Sequence, residues 1–309
     1  MEDLERAQVR LDNIRSVEPI LSALRTISLG SWRAALKRRE VARRYQERLG
    51  NMLPALSPHL RTRARRRRLW PWRAGHSSSP SSGRIIVLVI GSERGLCGAF
   101  NAAVVWRAQR HLERVSMAGV QVELMALGSR VTRLLRRRQR HLTWSGPLSV
   151  TALPPYSLAL QLTGQWLHRY KAHELDAVDV VYNAYRGTAR YEPTVVRLLP
   201  PHLPHPEPAE PEGDLSSELW PPPIIETDPQ GLYARLMEQW VSARFYELLL
   251  ESATAEHSAR FQLLEGATQN AERLIAELTL AVQTARKQAI TREMQDLAAG
   301  AGLIGTRPE

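Results

Sequence analysis

Four groups of residues carry side chains or backbone that could do chemistry. The apolar run Ile85–Ile90 is followed by Gly91-Ser92-Glu93-Arg94-Gly95-Leu96-Cys97-Gly98. A glycine-rich turn between a strand and a helix can aim backbone N–H groups at a phosphate. The spacing here fits neither GxGxxG nor the P-loop pattern, so the turn reads as a structural strand–turn–helix. Glu256 and His257 are an adjacent acid and base. No third partner completes a proton relay, and both lie in a helical stretch where such groups pack or cap. Cys97 is the one cysteine, which excludes a disulfide framework and a Cys-rich zinc site and reads as a small buried residue. The arginine runs at 61–68 and 134–140 could bind phosphate backbones, with steep salt dependence. Aromatic residues are only 6% of the chain, and no recognised nucleic-acid motif accompanies the runs. Anionic lipid headgroups would attract them equally well.

The elements that position these groups follow from charge and periodicity. The 309 residues include 42 Lys+Arg and 31 Asp+Glu, a formal net charge of +11. That basicity calls for an acidic partner. Hydrophobic residues are 43% and charged residues 24%, ordinary globular usage that argues against wholesale disorder. The run Ile85–Ile90 is too short to cross a bilayer. The N-terminal MEDLERAQ has neither signal-peptide nor transit-peptide character, so the expected compartment is a reducing cytoplasm.

Residues 1–50 carry an apolar stripe: Leu4, Ala7, Leu11, Ile14, Val17, Leu21, Leu24 and Ile27 recur at helical spacing. Pro19 falls inside it and predicts a kink or break. Residues 51–83 read as a basic, Ser/Pro-rich linker, with Arg61–Arg68, Trp70-Pro71-Trp72 and Ser77–Gly83. Residues 84–200 alternate strand and helix signals: strands at 85–90, 120–126, 178–183 and 193–199, and helices at 99–114, 129–137 and 156–171. That order predicts a Rossmann-like α/β sheet domain. Residues 201–228 form a Pro-rich strap. Within residues 229–309 a 3–4 apolar spacing runs from Leu232 to Ala289, and no proline follows Pro229 until Pro308. One helix of about 70 residues would be roughly 105 Å long. Few compact domains could cover it, so the N-terminal helix is its natural partner. The expected fold is α/β: a long antiparallel coiled coil of the N- and C-terminal helices, with the sheet domain between them in sequence.

Three segments together resemble the gamma subunit of the F-type ATP synthase. They are Ile14-Arg15-Ser16-Val17; Ser92-Glu93-Arg94-Gly95-Leu96-Cys97-Gly98-Ala99-Phe100-Asn101; and the C-terminal block. That block includes Leu250-Glu251-Ser252, Glu256–Arg260, Ala267–Ala271 and Arg286-Lys287-Gln288-Ala289-Ile290-Thr291-Arg292-Glu293-Met294. Order and spacing match across nearly the whole chain. Glu93 stands where the family usually has Asp, and Lys287 where it usually has Gln.

The resemblance implies a mechanical part that makes and breaks no bond and needs no cofactor or metal. In the family the two long helices form a rotor shaft inside a ring of three alpha and three beta subunits. The foot meets the epsilon subunit and the membrane ring of c subunits. By this resemblance Arg286, Lys287, Thr291 and Glu293 fall where the shaft contacts a beta subunit, and the small apolar tail Ala298–Ile304 turns in a hydrophobic collar. Gly95, Leu96, Cys97 and Gly98 form a structural motif. Without a second cysteine, the regulatory disulfide found in plant-plastid gamma subunits cannot form. The implied location is the cytoplasmic face of the bacterial cell membrane, peripherally attached. Two other readings remain open from sequence: a basic coiled-coil protein that binds nucleic acid, and a nucleotide-binding enzyme built on the central domain.

Overall fold

The computed structural model describes residues 2–56, 83–202 and 225–300. The arginine run 61–68, Trp70-Pro71-Trp72, most of the Pro-rich strap and the tail beyond Gly300 lie outside the described residues. The elements are α1 (Glu2–Leu56), β1 (Arg84–Ile90), α2 (Phe100–Met117), β2 (Gln121–Leu127), α3 (Ser129–Arg137), β3 (Trp144–Gly146), α4 (Tyr156–Lys171), β4 (Ala177–Gly187), β5 (Arg190–Leu199) and α5 (Pro229–Gly300). By contact density the chain divides into two units. Among the described residues one comprises 2–28 and 260–300, the other those between 29 and 259.

The larger unit holds a five-stranded sheet in the order β3-β2-β1-β4-β5. β1 pairs in parallel with β2 and β4, β2 in parallel with β3, and β4 antiparallel with β5. The alternation of β1 explains the layering, because successive side chains of a strand point to opposite faces. Ile86, Leu88 and Ile90 enter one core with Leu49 and Leu53 of α1, Leu162 and Trp166 of α4, and Met237, Phe245 and Leu249 of α5. Ile85, Val87 and Val89 enter the other, with Val104, Ala108 and Leu112 of α2 and Val131 and Leu135 of α3. β1 is therefore buried on both faces, as its unbroken β-branched run requires. Pro193 is tolerated because β5 is an edge strand.

The smaller unit is an antiparallel helix pair, with residue numbers rising on α1 as they fall on α5. Arg25 Nη1 donates to Glu265 Oε2 at 3.0 Å, and Arg15 Nη2 donates to Thr279 Oγ1 at 3.4 Å. Leu11, Ser28, Leu264, Thr268 and Ala271 are buried.

Local signals explain where the long helices begin and why α1 survives. Asp228 caps α5: its carboxylate accepts from the Gly231 amide at 2.8 Å, and Pro229 takes the first helical position, where no N–H is needed. α1 runs through Pro19 unbroken, which corrects the expectation of a break; a kink at Pro19 is compatible with an unbroken helix. Proline forfeits one backbone bond and costs about 3 kcal/mol in a helix interior. Arg15 and Arg25 bond α5 on either side of it, and tertiary packing of this kind supplies most helical stability in proteins.

Candidate functional site

The turn after β1 is built around Asn101. Its Oδ1 accepts from the Ser92 amide at 2.9 Å, and its Nδ2 donates to Ser92 Oγ at 2.8 Å and to Cys97 Sγ at 3.3 Å. Ser92 Oγ donates to the Arg94 carbonyl at 2.6 Å. Cys97 is buried against Phe100 and Ala255. Leu96 and Gly98 both adopt the left-handed conformation, with φ of 60° and 58°; for Leu96 that is a strained choice. Gly91 is obligatory, since a Cβ there would lie 2.6 Å from Val131 Cβ.

Glu93 closes this turn onto α3. Its Oε2 accepts from the Ser129 amide at 3.0 Å and from the Leu148 amide at 2.9 Å, and its Oε1 accepts from the Ser129 hydroxyl. Burial raises its pKa. The bonds from Ser129 and Leu148, with the nearby Arg133 charge, outweigh that and hold it below the usual carboxylate range. A helix N-terminus that could have faced a phosphate is thus occupied by the chain's own carboxylate.

Two buried polar clusters flank the sheet. Glu251 accepts from Arg39 Nη2 at 3.1 Å and from the Tyr182 hydroxyl at 3.1 Å. Burial, then the Glu251 charge, pushes the Tyr182 phenol far up. Across the sheet, Asp179 Oδ2 lies 2.9 Å from His111 Nε2 and accepts from Arg197 Nη2 at 3.0 Å. Burial raises the Asp179 pKa, but the His111 and Arg197 bonds prevail and lower it. Neither cluster contains an exposed nucleophile. Ser258 accepts from the Ala189 amide at 2.9 Å, tying the β4–β5 turn to α5. Among the described residues no group of three His, Cys, Asp or Glu side chains could hold a metal, and no helix is long and apolar enough to cross a membrane.

Arg286, Lys287, Thr291 and Glu293 are all exposed on α5. Thr291 Oγ1 donates to the Lys287 carbonyl at 2.9 Å, so that hydroxyl proton is spent on the helix itself. Sequence reasoning missed the company these residues keep. Ile290, Met294 and Leu297 are 48%, 67% and 73% exposed, and Arg286, Ile290, Glu293 and Leu297 follow one helical stripe. On α1, Val9, Ile20 and Ile27 are likewise exposed and share a face. Val9 and Ile20 stand outside the expected apolar stripe, and Ile27, expected within it, faces solvent instead.

A family model described as ATP synthase matches residues 3–302. The gamma chain of the Rubrobacter xylanophilus ATP synthase is 34% identical over 304 residues, covering 97% of each chain. That of Granulibacter bethesdensis is 30% identical over 312 residues, covering 97% of this chain and 99% of the relative. Among solved structures, a chain of the Euglena gracilis mitochondrial ATP synthase (OSCP, F1 and c-ring, rotational state 3) superimposes with a TM-score of 0.61 at 15% identity. It covers 99% of this chain and 97% of that one. A chain from the rotor of the same enzyme in rotational state 1 gives 0.56 at 15% identity, covering 93% and 98%.

Proposed function

The chain belongs to the family of ATP synthase gamma chains, and from that premise we propose how it works as the central rotor subunit of an F-type ATP synthase. Gamma chains are non-catalytic. The role of this one is to pass movement between an ion-driven membrane ring and the catalytic beta subunits. Its partners in this reading are three alpha and three beta subunits, an epsilon subunit and the c-ring. It sits peripherally on the cytoplasmic face of a bacterial cell membrane. The working division of the chain is N-terminal helix 1–50, linker 51–83, sheet domain 84–200, strap 201–228 and C-terminal helix 229–309, with the correction that α1 continues to Leu56, into the stretch expected as linker.

One observation carries the reading. The end segments of α1 and α5 leave Val9, Ile20, Ile27, Ile290, Met294 and Leu297 in solvent, a cost unless a sleeve of other subunits encloses them. Arg286, Lys287, Thr291 and Glu293 lie among these side chains and supply the polar contacts to a beta subunit. Such exposed pairs are worth only about 0–1 kcal/mol each, so shape transmits most of the torque. Lys287 presents a cation where the family's usual Gln would offer an amide, so the bond expected there becomes charge-assisted or is lost.

Mixing the purified chain with alpha and beta subunits tests this. A stable complex with ATPase activity is expected. No complex, together with nucleic-acid binding that resists moderate salt, would overturn the reading in favour of a basic coiled-coil nucleic-acid binder.

A further inference from the structure

The parallel topology collects helix ends at one edge of the sheet. α2 and α3 each run from the C-terminal end of one strand back to the N-terminal end of the next, and both pack on the same face. Their C-terminal halves therefore lie side by side. They carry Arg110 and Arg114 on α2, Arg136 and Arg137 on α3, and Arg138 and Arg140 just beyond it, all exposed. A cation or two in the last turn of a helix answers its dipole. The cluster here exceeds that need.

On the α2–α3 side the one acid in these helix ends is the exposed Glu113, set against six arginines, and the other acids at this edge are engaged elsewhere. Glu123 pairs with Arg169, Glu238 with Lys171, and Asp176 accepts from the Arg84 amide. These contacts neutralise the α4 side of the edge. On the α2–α3 side, Arg136 makes only a long contact of 3.5 Å to Ser145, Arg138 donates to Gln109, and Arg110 lies 4.9 Å over the Trp106 ring. The outer stripe of α2 adds apolar groups to the charge: Trp106 is 53% exposed and Met117 is 88% exposed.

We propose that the C-terminal halves of α2 and α3, together with Trp106 just before the middle of α2, form a docking surface for an anionic phospholipid bilayer. The guanidinium groups meet headgroup phosphates, and Met117 and Trp106 enter the boundary with the acyl chains. A nucleic-acid backbone would satisfy the arginines but give the Met117 thioether nothing to contact. The surface rests on the rotor reading and deepens it, with the sheet domain taken as the foot that meets the membrane ring of c subunits.

Partitioning of the full chain onto vesicles tests the surface directly. Phosphatidylcholine vesicles with and without phosphatidylglycerol would be compared. Replacing Arg114, Arg136, Arg137 and Arg140 with Gln should weaken binding to the phosphatidylglycerol vesicles by roughly fivefold per arginine at the surface. Met117→Asp, at a position too exposed to matter for folding, should weaken it on its own. Equal partitioning of wild type and both variants would overturn the proposal. So would unchanged vesicle binding accompanied by a loss of single-stranded DNA binding. Assembly of the same variants with alpha and beta subunits separates the two ideas. ATPase activity should stay unchanged, whereas a chain that never assembles would sink the rotor reading and leave the vesicle result standing.

Discussion

Arg39 and Glu251, 212 positions apart, meet as an ion pair at 3.1 Å between α1 and α5. The Glu251 side chain is 8% exposed and that of Arg39 27%. The Tyr182 hydroxyl takes the second carboxylate oxygen, so one acid joins both long helices to the sheet. Glu251→Ala would strand a buried phenol and a half-buried guanidinium. The expected cost is about 2–3 kcal/mol, below the figure for a fully buried pair because water still reaches Arg39. A urea midpoint unchanged from wild type would show that the pair is ornamental.

Asp179 gives the larger unit an acid sensitivity of definite sign. Its pKa is lowered in the folded chain, so its stabilisation is present above the unfolded carboxylate value of about 4. That stabilisation fades as pH falls through the lower folded value. Glu93 and Glu123 are lowered too and act in the same direction. The urea midpoint should fall below about pH 4, and Asp179→Asn should flatten that fall. An Asp179→Asn variant with the wild-type pH profile would exclude this residue as a source.

Pro19 lies exposed in an unbroken helix, so its penalty is still there to recover. Pro19→Ala restores a donor to the Arg15 carbonyl and should stabilise the chain by up to about 3 kcal/mol. Thermal melting followed by circular dichroism reads this. A lower melting temperature would mean that α1 needs the proline.

Cys97 is 3% exposed and lies among Ser92, Asn101, Phe100 and Ala255. A thiol reagent should label it slowly in the native chain and at the free-thiol rate in denaturant. Fast native labelling would show that the turn opens readily.

Arg286→Ala and Glu293→Ala should lower coupled ATPase activity in an assembled complex by a few-fold each, with the melting temperature unchanged because both are exposed. Ile290→Asp and Leu297→Asp should be worse, since each puts a charge into a desolvated sleeve. Full activity in all four variants would remove this stripe from the contact surface.

Legibility in the sequence tracked the range of the physics involved. β1 could be read because a doubly buried strand writes its burial into six consecutive residues. The antiparallel helix ends were legible because α5 repeats its apolar spacing far beyond what one domain can cover. β3 was missed: three residues, Trp144–Gly146, are too few to show a period. β4 runs to Gly187, past the expected 183, because pairing with β5 carries Tyr185 and Gly187 into the ladder. The expectation of a break at Pro19 weighed a local penalty without the contacts that offset it. The cluster of His111, Asp179 and Arg197 has no motif, since its members are scattered along the chain and only the sheet brings them together. The need for Gly91 was likewise invisible, because the atom it avoids belongs to Val131, forty positions away.

The capping of α3 by Glu93 has one last consequence. A fold of this type commonly borrows its anion from solution. This one brings a tethered counter-ion, so the twist of its sheet has no reason to follow the rise and fall of free phosphate or nucleotide around it. A transmission part working among sites that consume and release those molecules keeps its dimensions by being deaf to them.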